Sequence, residues 1–146
     1  MRTILDNCRV LRVDMSREKI INEALPEKYQ YQGGRSLTAA ILLDEVPPTC
    51  HPLGPRNKCI MATGLFAGTP FPCSGRLSIG AKSPLTNGIK ESNVGGSAAW
   101  KMARLGIRAI IIEHANPGNC YVLKIDRSGG VLISCPEYKE MRTYQL

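Results

Sequence analysis

A pair of glycines stands in a segment with the composition of an anion-binding turn. Residues 93–97 read Asn-Val-Gly-Gly-Ser and precede a short stretch, residues 98–105, that has the composition of a helix. Paired glycines at this position let backbone N–H groups approach an anion at the positive end of the helix. An ordinary strand-to-helix turn with Ser97 as N-cap has the same composition. Asn93, Gly95 and Gly96 are therefore candidate binding residues, and the plain turn is the alternative.

An arginine provides a second candidate for anion binding. Arg76 opens a predicted strand directly after a loop rich in glycine and proline over residues 64–75. A guanidinium at such a place can clamp a phosphate or another planar acceptor with two N–H donors, although many arginines are simply exposed. Cys73 lies in the same segment. The two histidines, His51 and His114, are elsewhere in the sequence, so an activated cysteine nucleophile is not favoured.

The six cysteines lack the spacing of a local metal site. No two of them form a C-x-x-C pair, which argues against a zinc knuckle or an iron–sulfur site built within these residues. Residues 1–6 carry charge and no apolar h-region of a secretory signal. The apolar run at residues 109–112, like every other apolar run in the chain, is far too short to span a membrane. We therefore expect a cytoplasmic protein with reduced thiols and no membrane partner.

The excess of positive charge is compatible with an anionic partner and with an ordinary solvated surface. The chain has 19 Lys and Arg against 12 Asp and Glu, which gives a net charge of +7. Such an excess suits a nucleic acid, a phosphorylated cofactor or an acidic redox protein, and it also occurs on an ordinary solvated surface. The basic residues are scattered and are not interleaved with aromatic residues as in single-strand-binding proteins. Nucleic-acid binding is therefore not expected.

Apolar periodicity and turn signals predict an α+β fold in which a sheet dominates. Alternation predicts an opening hairpin of residues 9–14 and 19–23. Helical spacing predicts a first helix with Ser36 as N-cap, ended by Pro47 and Pro48. A second helix is expected over residues 98–105, with Gly106 at its C-terminal stop. Further strands are expected over residues 59–63, 76–82, 89–92, 109–113, 120–125 and 131–134, with a turn at 116–119, which makes about eight strands and two helices.

Eight short motifs follow one another along the chain and point to one family. They are GGRSL at 33–37, DEVPP at 44–48, PLGPRNK at 52–58, ATGLFAGT at 62–69, SGR at 74–76, KSPLTNG at 82–88, NVGG at 93–96 and AIIIE at 109–113. In this order they resemble the N-terminal domain of the tungsten-containing aldehyde ferredoxin oxidoreductases. The resemblance implies a β-rich domain with two short helices, whose curved sheets form a base for a tungsten ion held by two pyranopterin dithiolenes.

The resemblance also implies roles for the candidate residues. Arg76 matches an arginine that lies between the pterin and an iron–sulfur cluster. Asn93 matches the residue whose backbone carbonyl faces a magnesium ion linking the two pterin phosphates. Gly95 and Gly96 match glycines that approach closely beside it. Cofactor-binding roles are therefore expected for these four residues, a metal contact is expected at Asn93, and no catalytic side chain is expected within the chain.

By the same resemblance, the whole protein would oxidise an aldehyde to a carboxylic acid. A tungsten or molybdenum bis-pyranopterin would carry the chemistry, and electrons would pass through a 4Fe–4S cluster to ferredoxin. The cluster ligands, a C-x-x-C-x-x-x-C run and a distant fourth cysteine, would lie in the remaining domains of the enzyme. Residues 1–146 are thus expected to form a single, incomplete, N-terminal pterin-binding domain that is inactive alone. The aldehyde, the choice of metal and a homodimeric state are left open.

Two other interpretations of the chain stay open from its sequence. In one, it is a stand-alone module or subunit that binds a pterin or another phosphate ligand without catalysis. In the other, it is a non-functional fragment, which would expose apolar surface normally covered by missing domains. One local difference from the family also stands out: Leu65 and Phe66 occupy the place where Pro-Leu is common.

Overall fold

The described part of the chain forms eight strands and two α-helices. A computed structural model describes residues 8–115 and 118–145. The predicted α+β class is confirmed, whereas residues 1–6 and part of the expected turn at 116–119 lie outside the described residues. The elements are β1 (Arg9–Asp14), β2 (Lys19–Ala24), α1 (Gly34–Glu45), β3 (Cys59–Thr63), β4 (Leu77–Lys82), β5 (Ile89–Val94), α2 (Ala98–Arg104), β6 (Ile107–Glu113), β7 (Tyr121–Asp126) and β8 (Gly129–Ser134), with short 3-10 helices at Glu27–Tyr29 and Pro136–Tyr138.

The opening hairpin forms as expected, and an aspartate fixes its turn. β1 and β2 pair in antiparallel fashion, with Asp14 opposite Lys19. The Asp14 carboxylate accepts hydrogen bonds from the Ser16 backbone N–H at 2.9 Å, the Ser16 hydroxyl at 2.7 Å and the Arg17 N–H at 3.1 Å. Aspartate stabilises turns in this way because its side chain takes the place of a backbone acceptor.

Six of the strands form one mixed sheet, in the order β2-β1-β6-β3-β4-β5. β1 and β6 are parallel, and the other neighbours are antiparallel. β6 lies inside the sheet, and its continuous apolar composition suits a strand that is covered on both faces. β7 and β8 form a separate two-stranded sheet.

Apolar side chains cover both faces of the six-stranded sheet. One cluster packs beneath α1 and comprises Val10, Tyr29, Leu37, Ile41, Leu42, Val46, Cys50, Ile60, Ala62, Ala109 and Ile111. The other packs beneath α2 and the β7–β8 hairpin and comprises Leu11, Val13, Ala67, Leu77, Ala99, Met102, Ile107 and Ile110. Alternate residues of each strand feed the two clusters because successive side chains point to opposite faces.

Helix α1 begins two residues before the predicted N-cap. Gly33 occupies the N-cap position, and Ser36 lies inside the helix, so the prediction for Ser36 is wrong. The cause is tertiary contact: a Cβ on Gly33 would lie 2.6 Å from the backbone nitrogen of Leu65. Only glycine allows the start of the helix to pack this closely against the loop that follows β3. The C-terminal end is as expected, since the helix stops at Glu45, ahead of Pro47 and Pro48.

The glycine segment also differs in detail from its prediction. β5 continues through Asn93 to Val94, so only the glycines and Ser97 separate it from α2. Ser97 holds the N-cap position, but its hydroxyl makes no capping hydrogen bond. Gly106 follows α2 with a φ of +75°, in agreement with its expected role as a helix stop. None of the helices in the described residues has the length and apolar character needed to cross a lipid bilayer.

Candidate functional site

The pairing of β4 with β5 brings two of the candidate residues together. In this antiparallel pair, Leu77 lies opposite Val94 and Ser78 opposite Asn93. Arg76 immediately precedes Leu77 and therefore lies beside the end of β5. Its Nη1 donates a hydrogen bond of 3.1 Å to Oδ1 of Asn93. Two residues that were selected separately from the sequence thus share one contact.

The other end of the Asn93 carboxamide is also engaged. Its Nδ2 donates to Oγ of Ser78 at 3.0 Å and, more weakly, to Oε1 of Glu91 at 3.4 Å. A carboxamide offers its oxygen only as an acceptor and its nitrogen only as a donor. These three contacts therefore agree on one orientation, in which the oxygen faces Arg76 and the nitrogen faces the strands.

A carboxylate and a second arginine extend this network. Ser78, only 1% exposed, donates a hydrogen bond that is the main cause of a lowered pKa at Glu91, with help from Asn93 and from the charge of Arg35. Arg35, in the first turn of α1, places its Nε 3.3 Å from Oε2 of Glu91. The network thus contains two guanidinium groups and one carboxylate, which leaves an excess of positive charge beside the glycine segment.

The two glycines leave the neighbouring backbone open. A Cβ at Gly95 or at Gly96 would meet no atom within 4 Å in the described residues. Gly96 has a φ of +115°, which side-chain-bearing residues rarely adopt. On the other side, a Cβ on Gly75 would lie 3.2 Å from the Gly96 carbonyl oxygen. The backbone beside Arg76 is therefore accessible to a ligand, and the loop that precedes Arg76 borders it.

A shallow cavity adjoins Arg76 on the side of that loop. Its volume is about 260 Å³, and its walls are Gly64, Leu65, Phe66, Phe71, Pro72, Cys73, Ser74 and Arg76. Phe66 and Phe71 stack with ring centroids 5.5 Å apart, and both are more than half exposed. The cavity combines an exposed aromatic surface with a guanidinium, which suits a planar, anionic ligand.

Sequence reasoning selected Arg76, Asn93, Gly95 and Gly96, and the structure brings all four to one end of the β4–β5 pair. It missed Arg35 and Glu91, which complete the polar network. Strand alternation contained part of the signal, because positions 91 and 93 of one strand share a face. Arg35 had no such signal, since its contact depends on how α1 lies against the sheet.

The cysteines and acidic residues do not assemble a metal site in the described part of the chain. Residues 8–115 and 118–145 contain no group of three His, Cys, Asp or Glu side chains close enough together to hold a metal ion.

Comparison with known families gives a match over nearly the whole chain. Residues 10–146 fit the family model described as aldehyde ferredoxin oxidoreductase, N-terminal domain. The chain belongs to the aldehyde ferredoxin oxidoreductase family. The resemblance inferred from the eight motifs is thereby confirmed.

Individual relatives support the same family. The tungsten-containing aldehyde ferredoxin oxidoreductase of Pyrococcus furiosus is 38% identical over 107 residues, which cover 72% of this chain and 18% of the relative. The enzyme of the same name from Thermococcus kodakarensis is 34% identical over 116 residues, or 78% of this chain and 19% of the relative. An aliphatic sulfonate oxidoreductase, WOR-like subunit, from Pyrococcus furiosus is 33% identical over 112 residues, or 73% of this chain and 18% of the relative. The chain thus spans less than a fifth of these aldehyde ferredoxin oxidoreductase relatives.

A solved structure confirms the fold of the family. The active-site complex BamBC of benzoyl coenzyme A reductase, determined with 1,5-dienoyl-CoA, superimposes with a TM-score of 0.86 and 30% sequence identity. The match covers 92% of this chain and 21% of that one. The α+β arrangement described above is therefore that of an aldehyde ferredoxin oxidoreductase N-terminal domain, and the relatives are oxidoreductases.

Proposed function

We propose that this chain forms, within a longer enzyme, part of the base that holds a tungsten or molybdenum bis-pyranopterin. The observation that carries the proposal is the hydrogen bond from Arg76 to Asn93 beside the open backbone of Gly95 and Gly96. A phosphorylated pterin is anionic and needs a fixed cation together with backbone groups that it can approach closely. The residues present meet both requirements, and the family membership supplies the identity of the cofactor.

Arg76 would offset negative charge on the cofactor. Within the described part of the chain it makes no ion pair, so its charge is not already neutralised by a carboxylate. Asn93 engages Nη1 only, whereas a guanidinium has five N–H donors. Asn93 therefore orients Arg76 and leaves it able to bind a pterin phosphate or to lie between the pterin and the iron–sulfur cluster.

Asn93, Gly95 and Gly96 would provide the backbone side of the same site. The Asn93 side-chain oxygen accepts from Arg76. As the family resemblance implies, the backbone carbonyl of Asn93 would be the group that faces a magnesium ion held with the cofactor. The open positions at Gly95 and Gly96 let phosphate groups lie directly against the chain. Each substitution that adds a side chain here would fill the space that the cofactor needs.

The whole enzyme, by this proposal, oxidises an aldehyde to a carboxylic acid. A bound bis-pyranopterin would supply the two-electron chemistry, in which the aldehyde gains an oxygen from water and gives up two protons and two electrons. The electrons would leave through a 4Fe–4S cluster to ferredoxin. The cluster ligands and the substrate pocket belong to the remaining domains, and residues 1–146 are one incomplete N-terminal domain that is inactive alone. We place the enzyme in the cytoplasm and leave a homodimer as a further possibility.

A stand-alone cofactor-binding module is the second candidate. It is favoured by the two apolar clusters, because α1 packs on one face of the central strands and α2 with the β7–β8 hairpin packs on the other, while Ile89 and Val94 of the edge strand β5 stay exposed. A fragment without a fold of its own would leave such a face exposed. A folded chain of this kind is able to hold a ligand without further domains.

One experiment separates the two candidates. The gene is sequenced past the codon for Leu146, and the product of the complete reading frame is assayed for aldehyde-dependent reduction of ferredoxin in tungsten-supplemented cells. A frame that continues into a C-x-x-C-x-x-x-C run, with activity in the product, supports the enzyme. A stop codon directly after Leu146 overturns it. Binding of a phosphorylated pterin by the 146-residue chain would then support the module.

A further inference from the structure

Three arginines gather at the end of the molecule where α2 leads into β6. Arg104 ends α2, and Arg108 is the second residue of β6. Arg9 opens β1 and lies opposite Ile107 of β6. None of the three forms an ion pair within the described part of the chain. The region therefore concentrates positive charge that no described carboxylate balances.

Arg108 is the most deeply buried of the three. It is 3% exposed, and it donates from Nη1 to the carbonyl oxygens of Gly64 and Leu65, each at 3.2 Å, and from Nη2 to Sγ of Cys8 at 3.3 Å. These acceptors satisfy individual N–H groups without supplying a negative charge. A buried charge in proteins is ordinarily paired with an opposite one, because removal from water is costly.

Hydrogen-bonding capacity is also left unused at this place. Nε of Arg108 and Nε of Arg9 are both buried, and neither has a hydrogen-bond partner among the residues that the structure describes. Arg9 uses its Nη2 to donate to the Leu105 carbonyl oxygen at 3.2 Å. Most buried side-chain donors in folded proteins find an acceptor, so these two guanidinium nitrogens keep the capacity to donate to an anion.

A partly buried arginine, Arg12, shows how an arginine is paired with carboxylates elsewhere in this fold. Arg12 contacts Glu23 at 3.1 Å, Glu45 at 2.9 Å and Glu113 at 3.0 Å, and Lys58 joins the last two carboxylates at 2.6 Å each. Every cation in that cluster faces at least one carboxylate. Among the described residues, Arg108 therefore differs from Arg12 in having no carboxylate partner.

A cavity lies beside these arginines. Its volume is about 250 Å³, and its walls include both Arg104 and Arg108, along with Thr63, Thr69 and Gly106. The Arg104 guanidinium stacks over the ring of Trp100, 4.6 Å from its centroid, which holds it near one position. The cavity is wide enough for a small molecule and has two guanidinium groups in its walls.

We propose that this cavity is a second anion site, which binds a small phosphate dianion, either inorganic phosphate or a phosphate monoester. A dianion is favoured over a single carboxylate because Arg104 and Arg108 in the cavity wall, and Arg9 nearby, have no carboxylate partner within the described residues. Tetrahedral phosphate accepts from several guanidinium groups at once. The site is distinct from the cofactor site proposed above, since the cavity beside Arg76 and this one share no wall residue. It does not depend on the proposed function.

The test is isothermal titration of the 146-residue chain with inorganic phosphate, with ionic strength held constant by chloride. Two variants remove charge from the cavity: Arg108→Gln in its wall and Arg104→Gln at the exposed end of α2. Arg127→Gln, on the exposed turn of the β7–β8 hairpin, removes the same charge elsewhere and is the matched control. Circular dichroism establishes whether each variant is folded.

The site predicts saturable binding of one phosphate by the unchanged chain. Loss of one charge-assisted contact should weaken binding roughly tenfold in Arg104→Gln and at least as much in Arg108→Gln, with no change in Arg127→Gln. If Arg108→Gln fails to fold, the comparison of Arg104→Gln with Arg127→Gln decides. No saturable binding by the unchanged chain, or equal affinity in Arg104→Gln and the control, overturns the proposal.

Discussion

Arg76 donates a hydrogen bond of 3.1 Å to the side-chain oxygen of Asn93, across the adjoining ends of β4 and β5. The contact fixes a guanidinium beside two glycines whose backbone is open. The Asn93 side-chain nitrogen in turn donates hydrogen bonds to the buried Ser78 hydroxyl and to the carboxylate of Glu91. A cation, an orienting amide and an accessible backbone therefore form one unit, and this unit is what the proposed cofactor would contact.

Removal of the Asn93 amide should destabilise the sheet at this end. Asn93→Ala deprives the buried Ser78 hydroxyl of its donor and leaves Arg76 without its acceptor, so we expect the free energy of unfolding to fall by about 1–2 kcal/mol. Urea unfolding followed by circular dichroism measures it. Asn22→Ala, at an exposed position of the edge strand β2, is the control and should stay within about 0.5 kcal/mol. Equal loss in both variants would contradict the role given to Asn93.

The two glycines should respond differently to alanine. Gly96→Ala forces a residue with a Cβ into a φ of +115°, so we expect a loss of about 1–2 kcal/mol in stability. Gly95 has open space and no such φ, so Gly95→Ala should leave the stability of the chain within about 0.5 kcal/mol. The cofactor proposal adds that Gly95→Ala lowers tungsten content in the complete enzyme. Normal tungsten content in a stable Gly95→Ala enzyme would count against close approach at this glycine.

Local patterns were enough to predict most elements but not their arrangement. Alternation indicates the β1–β2 hairpin, because it depends on residues close in sequence. The parallel pairing of β1 with β6 depends on packing between distant segments and has no local signal. Gly33 shows the same limit: it replaces Ser36 at the start of α1 because it packs against the backbone of Leu65.

The sequence predicts four residues of the candidate site, but it does not predict how they contact one another. Arg76 stands out because it follows a loop rich in glycine and proline and precedes a strand. The glycine segment stands out because it lies between a strand and the start of a helix. Their contact follows from the register that sets Ser78 opposite Asn93, and register cannot be read from either strand alone. Arg35 reaches Glu91 only because α1 lies across this part of the sheet.

Acid should weaken the opening hairpin over a defined range of pH. Hydrogen bonds from the Ser16 side chain, and then from the Arg17 and Ser16 backbone, lower the pKa of Asp14 from 3.8 to about 2. Because the folded-state pKa lies below the unfolded one, the ionised carboxylate stabilises the fold above about pH 3.8, and this contribution disappears as the pH falls through about 2. The stability advantage of the unchanged chain over Asp14→Asn should therefore shrink across that range. Titration of the carboxyl carbon by NMR gives the midpoint directly, and a value near 3.8 would refute this account.

The most direct test of the central claim is the tungsten and pterin content of Arg76→Ala in the protein from the complete reading frame. Arg17→Ala, whose side chain is 81% exposed, removes the same charge away from the site and is the control. Loss of charge-assisted hydrogen bonds at Arg76 should weaken cofactor binding roughly tenfold or more. We therefore expect depleted tungsten and reduced turnover in Arg76→Ala, and full occupancy in Arg17→Ala. Unchanged tungsten content together with unchanged turnover in Arg76→Ala would contradict the assignment of this site to the cofactor.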